Sequence, residues 1–125
     1  MLDINKHIEL WRNGAIDTLQ TATDLLKQSH YDFALFAAHL ALEKAIKALV
    51  CRATGEIPPR LHNLLRLIEI AEVKPDAEMM DFLSTMNQYS QIGRYPEFLT
   101  VRSSKAETIE AIAQTKEAIQ WLMSL

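Results

Sequence analysis

The stretch YDFALFAAHLALEKAIKALVCR, residues 31–52, decides the fold. It is apolar almost all round and holds no glycine or proline. A helix with that pattern belongs at the centre of a bundle. Six small residues, Ala34, Ala37, Ala38, Ala41, Ala45 and Ala48, allow neighbouring helices to approach closely. The polar residues are confined. Asp32, His39, Glu43 and Lys47 follow at steps of seven, four and four, so they share one stripe, with Lys44 beside it. Gly55 and the pair Pro58-Pro59 end the helix.

Outward from this helix, the same 3.6-residue period recurs on both sides. Ile4, Ile8, Trp11, Ala15, Leu19, Ala22 and Leu26 predict an amphipathic helix over residues 4–27, which Gly14 weakens without ending it. Ser29, three residues before Asp32, reads as the cap of the central helix. A shorter helix is expected over 62–72. After the break at Lys74-Pro75-Asp76, another is expected over 77–91. Ser104 and Glu107 form a capping box for a last helix over 105–123, with Ile109, Ile112, Ala113, Ile119 and Leu122 facing inward. The expectation is one all-α domain over residues 1–125, an antiparallel up-and-down bundle of four to five helices. Helices this long leave side surface over, so a homodimer is expected.

Composition agrees and excludes several classes. Of 125 residues, 49% are hydrophobic and 23% charged, a soluble balance rather than a disordered one. Three glycines and four prolines are too few for the turns of an all-β fold. One cysteine, Cys51, excludes an intramolecular disulfide and any multi-cysteine metal site, and it reads as a buried, inert thiol. No leader peptide and no membrane span are apparent, so a cytoplasmic protein without membrane contact is expected. There is no Gly-rich phosphate loop. The formal net charge of −3 hides a polarity: residues 41–66 carry five cations against two acids, and residues 67–93 five acids against one cation. That argues against a general nucleic-acid coat and leaves room for one localised phosphate site or a charge-complementary partner.

AAHLALEKAIKALV at 37–50, the Gly-Pro loop, PPRLHNLLRLIEIA at 58–71, and Gly93-Arg94-Tyr95-Pro96 preceded by Tyr89 occur in an order that resembles the HEPN domain family over essentially the whole chain. The resemblance implies a helical bundle, usually a homodimer. It also implies a protein often encoded beside a minimal nucleotidyltransferase as half of a toxin–antitoxin-like pair. Other members of the family are ribonucleases, and some bind nucleotides. The ribonuclease branch carries an arginine, four to six residues, then a histidine. The histidine serves as general acid or base on a ribose hydroxyl, and the arginine holds phosphate charge. No arginine here meets that spacing. Nine residues separate Arg52 from His62 and one separates Arg60 from it, while Arg66, Arg94 and Arg102 have no later histidine.

The expected function is therefore a non-catalytic HEPN-type dimer that binds a nucleotide, RNA or a minimal nucleotidyltransferase and needs no cofactor or metal. The alternative is a divergent ribonuclease using other residues. The candidate ligand-binding residues are Arg94, Tyr95, Arg102, Lys47, Arg60 and His62. Arginine offers a planar fork for phosphate and tyrosine a face on which a base can stack. Each also has a structural reading: Tyr95 plugging the bundle end with Arg94 paired to an acid, His62 donating to a loop carbonyl at a helix start, and Glu43–Lys47 as an i,i+4 ion pair worth about 0.2–0.5 kcal/mol. Trp11, Trp121 and the methionines read as core or interface.

Overall fold

The computed structural model describes residues 2–91 and 103–125. Among them are five α-helices and no strand: α1 (Ile4–Lys27), α2 (Tyr31–Thr54), α3 (Leu64–Ile70), α4 (Ala77–Met86) and α5 (Lys105–Ser124). A 3₁₀ turn over Asn87–Gln91 follows α4. Asp3 caps α1, its carboxylate accepting from the Lys6 amide at 3.2 Å. The tight connection through Ser29 makes α1 and α2 an antiparallel pair that forms the body of the bundle.

α2 is the central helix, as its composition demands. All six alanines are buried, together with Leu35, Leu42, Ile46 and Val50. The α1–α2 contact is close enough that Gly14 has a purpose. A Cβ there would stand 3.3 Å from the Lys44 Cδ. Lys44 passes this point to donate to Thr18 Oγ1 at 2.8 Å. Gly55, at φ 71°, ends α2 in the left-handed conformation that favours glycine.

α5 runs parallel to α2. Its entry is tied by the Ser103 amide donating to Asp32 Oδ1 at 3.2 Å, and its end by Arg52 donating to the Leu125 carbonyl at 2.6 Å. After α2, the connector turns back along that helix. His62 lies opposite Glu43, twelve residues or about 18 Å before Gly55 on a helix rising 1.5 Å per residue. α3 and α4 then fold as a hairpin, with Leu64 at the start of α3 meeting Asn87 just past the end of α4.

Four expectations are corrected. Ser29 does not cap α2. It takes a left-handed φ of 64°, His30 occupies the cap position without a side-chain bond, and the Asp32 carboxylate reaches Ser103 instead. α3 starts two residues late because Asn63 is its cap, accepting from the Leu65 and Arg66 amides. The fourth helix does not run to Gln91. It tightens at Asn87, whose side chain is committed to the α3 start. On α5, Ile109 (46% exposed) and Ala113 face out. Thr108 and Thr115 are buried in their place, their hydroxyls donating to the carbonyls of Ser104 and Ala111 at 2.8 and 2.7 Å. A threonine whose hydroxyl is satisfied by its own helix can present its methyl to a core.

Candidate functional site

The polar stripe of α2 is buried along its length: Asp32, His39, Glu43 and Lys47 are each at most 6% exposed. In the middle of it three side chains form a chain. Lys47 Nζ donates to Glu43 Oε2 at 2.9 Å, and Glu43 Oε1 lies 2.9 Å from His62 Nδ1. The carboxylate thus has a partner on each oxygen. Lys47 also lies 5.4 Å from the centroid of the Trp11 ring, so its ammonium is held between a carboxylate and an aromatic face. The chain ends at the surface, where the His62 side chain is 48% exposed against 5% for Glu43.

Asn63 and Asn87 hold His62 in place from the other side. Asn87 Oδ1 accepts from the Leu64 amide at 2.8 Å, and its Nδ2 donates to Asn63 Oδ1 at 3.0 Å. His62 therefore sits between a helix cap fixed on α4 and a carboxylate fixed on α2. It does not serve as a helix-start histidine bonded to a loop carbonyl, the structural alternative read from sequence. Imidazole chemistry explains why: Nδ1–H donating to a carboxylate fixes the tautomer and leaves Nε2 on the opposite edge of the ring.

One turn before Glu43, His39 is 2% exposed, and its Nε2 has no hydrogen-bond partner among the described residues. Burial lowers its pKa below the usual imidazole value. The Glu43 charge, the His62 backbone and the Asn87 side chain oppose that shift, and the His62 ring adds to it. Burial thus favours the neutral form of His39 within the cluster.

Of the five cations in residues 41–66, four are engaged: Lys44 by Thr18, Lys47 by Glu43, Arg52 by the Leu125 carbonyl, and Arg66 by Glu69 at 3.0 Å. Arg60 alone makes no hydrogen bond or ion pair among the described residues, and it is exposed two residues before His62. The structure thus joins Lys47 to His62 through Glu43, a link that residue spacing did not reveal, with Arg60 beside them in sequence. Arg94, Tyr95 and Arg102 lie outside the described residues. Gln91 and Ser103 are the described residues on either side of that segment, and Ser103 is bonded to Asp32. Tyr89, close by, has its phenol pKa raised by burial and by the charges of Glu107 and Asp32.

Cys51 is fully buried, and burial raises its thiol pKa, in keeping with an inert side chain. Among the described residues no three His, Cys, Asp or Glu side chains converge to hold a metal, and no helix is long and apolar enough to cross a membrane. The acidic stretch brings Asp76, Glu78 and Asp81 of the α4 region to one groove with Glu117 of α5, over Met79 and Phe82.

A carboxylate-held surface histidine at the start of the third helix, on an alanine-rich second helix, coincides with the elements that carried the family resemblance. The HEPN domain family model matches residues 8–125. The chain belongs to the HEPN domain family. Among solved structures, this HEPN protein is similar to TT1696 from Thermus thermophilus, with a TM-score of 0.81 at 22% identity, covering 94% of this chain and 96% of that one. It is also similar to ST0689, an archaeal HEPN homologue, with a TM-score of 0.71 at 19% identity, covering 94% and 95%. At these identities the likeness establishes the shared fold. No curated protein matches the chain.

Proposed function

We propose that this HEPN protein is a binding module: a helical dimer that contacts the phosphate of a nucleotide or RNA and partners a minimal nucleotidyltransferase in a toxin–antitoxin-like system. The observation that carries the reading is the Lys47–Glu43–His62 chain, which presents an oriented imidazole at the surface, with the exposed Arg60, without a partner among the described residues, two positions earlier in the chain. Arg94, Tyr95 and Arg102 complete the ligand surface in this reading. The groove lined by Asp76, Glu78, Asp81 and Glu117 suits a cationic surface of the protein partner. Thermal shifts across a panel of nucleotides and short RNAs, together with co-purification with a minimal nucleotidyltransferase, test it. A rise in melting temperature with a phosphorylated ligand and a stable complex are expected. A protein that binds neither overturns the reading.

A second reading, a divergent ribonuclease, draws support from the same dyad, since a carboxylate-held imidazole is suited to general acid–base work. Against it stands the absence of an arginine four to six residues before any histidine. Incubation of the protein with total RNA, beside a His62→Ala/Arg94→Ala variant, separates the two. Cleavage that disappears in the variant favours the ribonuclease, and no cleavage by either protein favours the binding module.

A further inference from the structure

We infer that phosphate binding at His62 is proton-linked: the site takes up one proton, on His62 Nε2, as it receives a phosphoryl group, and the buried Lys47 is the positioning residue that makes this favourable. The inference rests on the phosphate-binding reading above and deepens it.

Without ligand, Lys47 and Glu43 form a buried, electrically balanced pair, and Glu43 uses its second oxygen to hold His62 Nδ1. Had Glu43 no other partner, protonating His62 would only neutralise Glu43, and the pair would show an anion no net charge. Because Lys47 already balances the carboxylate, a proton on Nε2 adds a full positive charge at the half-exposed end of the chain. With Nδ1 committed inward, that proton faces the ring's outer edge, where it can be donated to a phosphate oxygen as a charge-assisted hydrogen bond. Among the described residues, the titratable and charged groups linked to the imidazole are Glu43, Lys47 through it, and His39 one turn earlier on α2, with Arg60 two residues upstream in the connector. Trp11 of α1 faces Lys47 at the buried end of the chain, and Asn87 beyond α4 bonds the Asn63 side chain next to His62, both without charge. Arg60, exposed two residues earlier and without a partner among the described residues, is the cation nearest to His62 in sequence. No covalent step is involved, and the proton comes from the buffer.

The test is titration calorimetry of the full chain with adenosine 5′-monophosphate at about pH 8, where a phosphomonoester is already a dianion and an ordinary imidazole is mostly neutral. Repeating it in buffers of low and high ionisation heat counts the protons taken up, and adenosine serves as the arm without phosphate. We expect net uptake approaching one proton with the monophosphate and none with adenosine. His62→Gln, a change at a half-exposed side chain, is expected to abolish the uptake and weaken binding about tenfold, the worth of one charge-assisted hydrogen bond. Lys47→Met is expected to reduce uptake although Lys47 lies beneath the surface. Its folding is checked by circular dichroism, and the His62→Gln result stands without it. Binding without proton uptake, or uptake that survives His62→Gln, overturns the inference and leaves the binding reading standing. No binding of the monophosphate overturns the inference, and if every other ligand in the panel also fails, the binding reading falls with it.

Discussion

Two ion pairs in this protein have almost the same length and opposite character. Glu43–Lys47 on α2 measures 2.9 Å with side chains 5% and 7% exposed, while Arg66–Glu69 on α3 measures 3.0 Å with side chains 53% and 73% exposed. Both are one-turn pairs that spacing alone would value alike, at a few tenths of a kcal/mol. The surroundings separate them. The exposed pair gains little in water and is screened by salt. The buried pair has lost its water, so each charge depends on the other, on Trp11 and on His62. Distance therefore says little about what an ion pair does; what lies around it decides whether it is decoration or part of a site.

Glu43 carries most of the difference between the two pairs. Glu43→Ala leaves Lys47 buried without its carboxylate and releases His62, and a loss of about 3–5 kcal/mol in urea unfolding is expected. A loss below about 1 kcal/mol would place the two pairs in the same class. Asn87→Ala strips the partner from the Leu64 amide and loosens the Asn63 cap, at an expected cost of about 1–3 kcal/mol. Amide exchange at the start of α3 should rise with it.

His39 sharpens the same contrast through pH. Its folded pKa lies below that of the unfolded chain, so the unfolded state binds the proton first as pH falls. The stability this neutral histidine contributes is fully present above the unfolded value of about 6.5, and is lost as pH drops from there through the folded pKa. The slope in that window is bounded at about 1.4 kcal/mol per pH unit. Unfolding midpoints followed from neutral to mildly acid pH should fall less steeply for His39→Leu than for the natural chain. The smallest effect belongs to the exposed pair: Arg66→Ala should change stability by less than about 0.5 kcal/mol, and the change should vanish in high salt.

Much of the fold was legible in the residues. The alanine-rich α2, the amphipathic α1, the Gly55 stop, the break at Lys74-Pro75-Asp76 and the Ser104 cap are local features, set by periodicity and by side chains that reach only a few residues. The misread positions are those where a polar side chain found a partner that the apolar period does not register, some distant and some on the same helix. Asp32 bonds Ser103 rather than capping its own helix, Asn87 bonds the α3 start rather than extending α4, and Thr108 and Thr115 take core positions once their hydroxyls turn back on their own helix. For the site, the stripe on α2 and the candidates Lys47, Arg60 and His62 were visible, but the bond between Glu43 and His62 was not. His62 lies nineteen positions after Glu43, and no helical period spans a connector that doubles back.

By itself the sequence determined an all-α bundle with α2 at its centre, the family it belongs to, and the lack of the arginine–histidine spacing of the ribonuclease branch. The bundle follows from composition and near-neighbour spacing, which act within a turn or two of helix, whereas the family came as a resemblance carried by the order of motifs along the chain, which the family model matches over residues 8–125. Only the tertiary structure decided that the Glu43–Lys47 pair is buried, that Trp11 and His62 close its two ends, and that Arg60 is left without a partner among the described residues. Each of these depends on which surfaces are packed away from water, and desolvation is a property of the assembled chain.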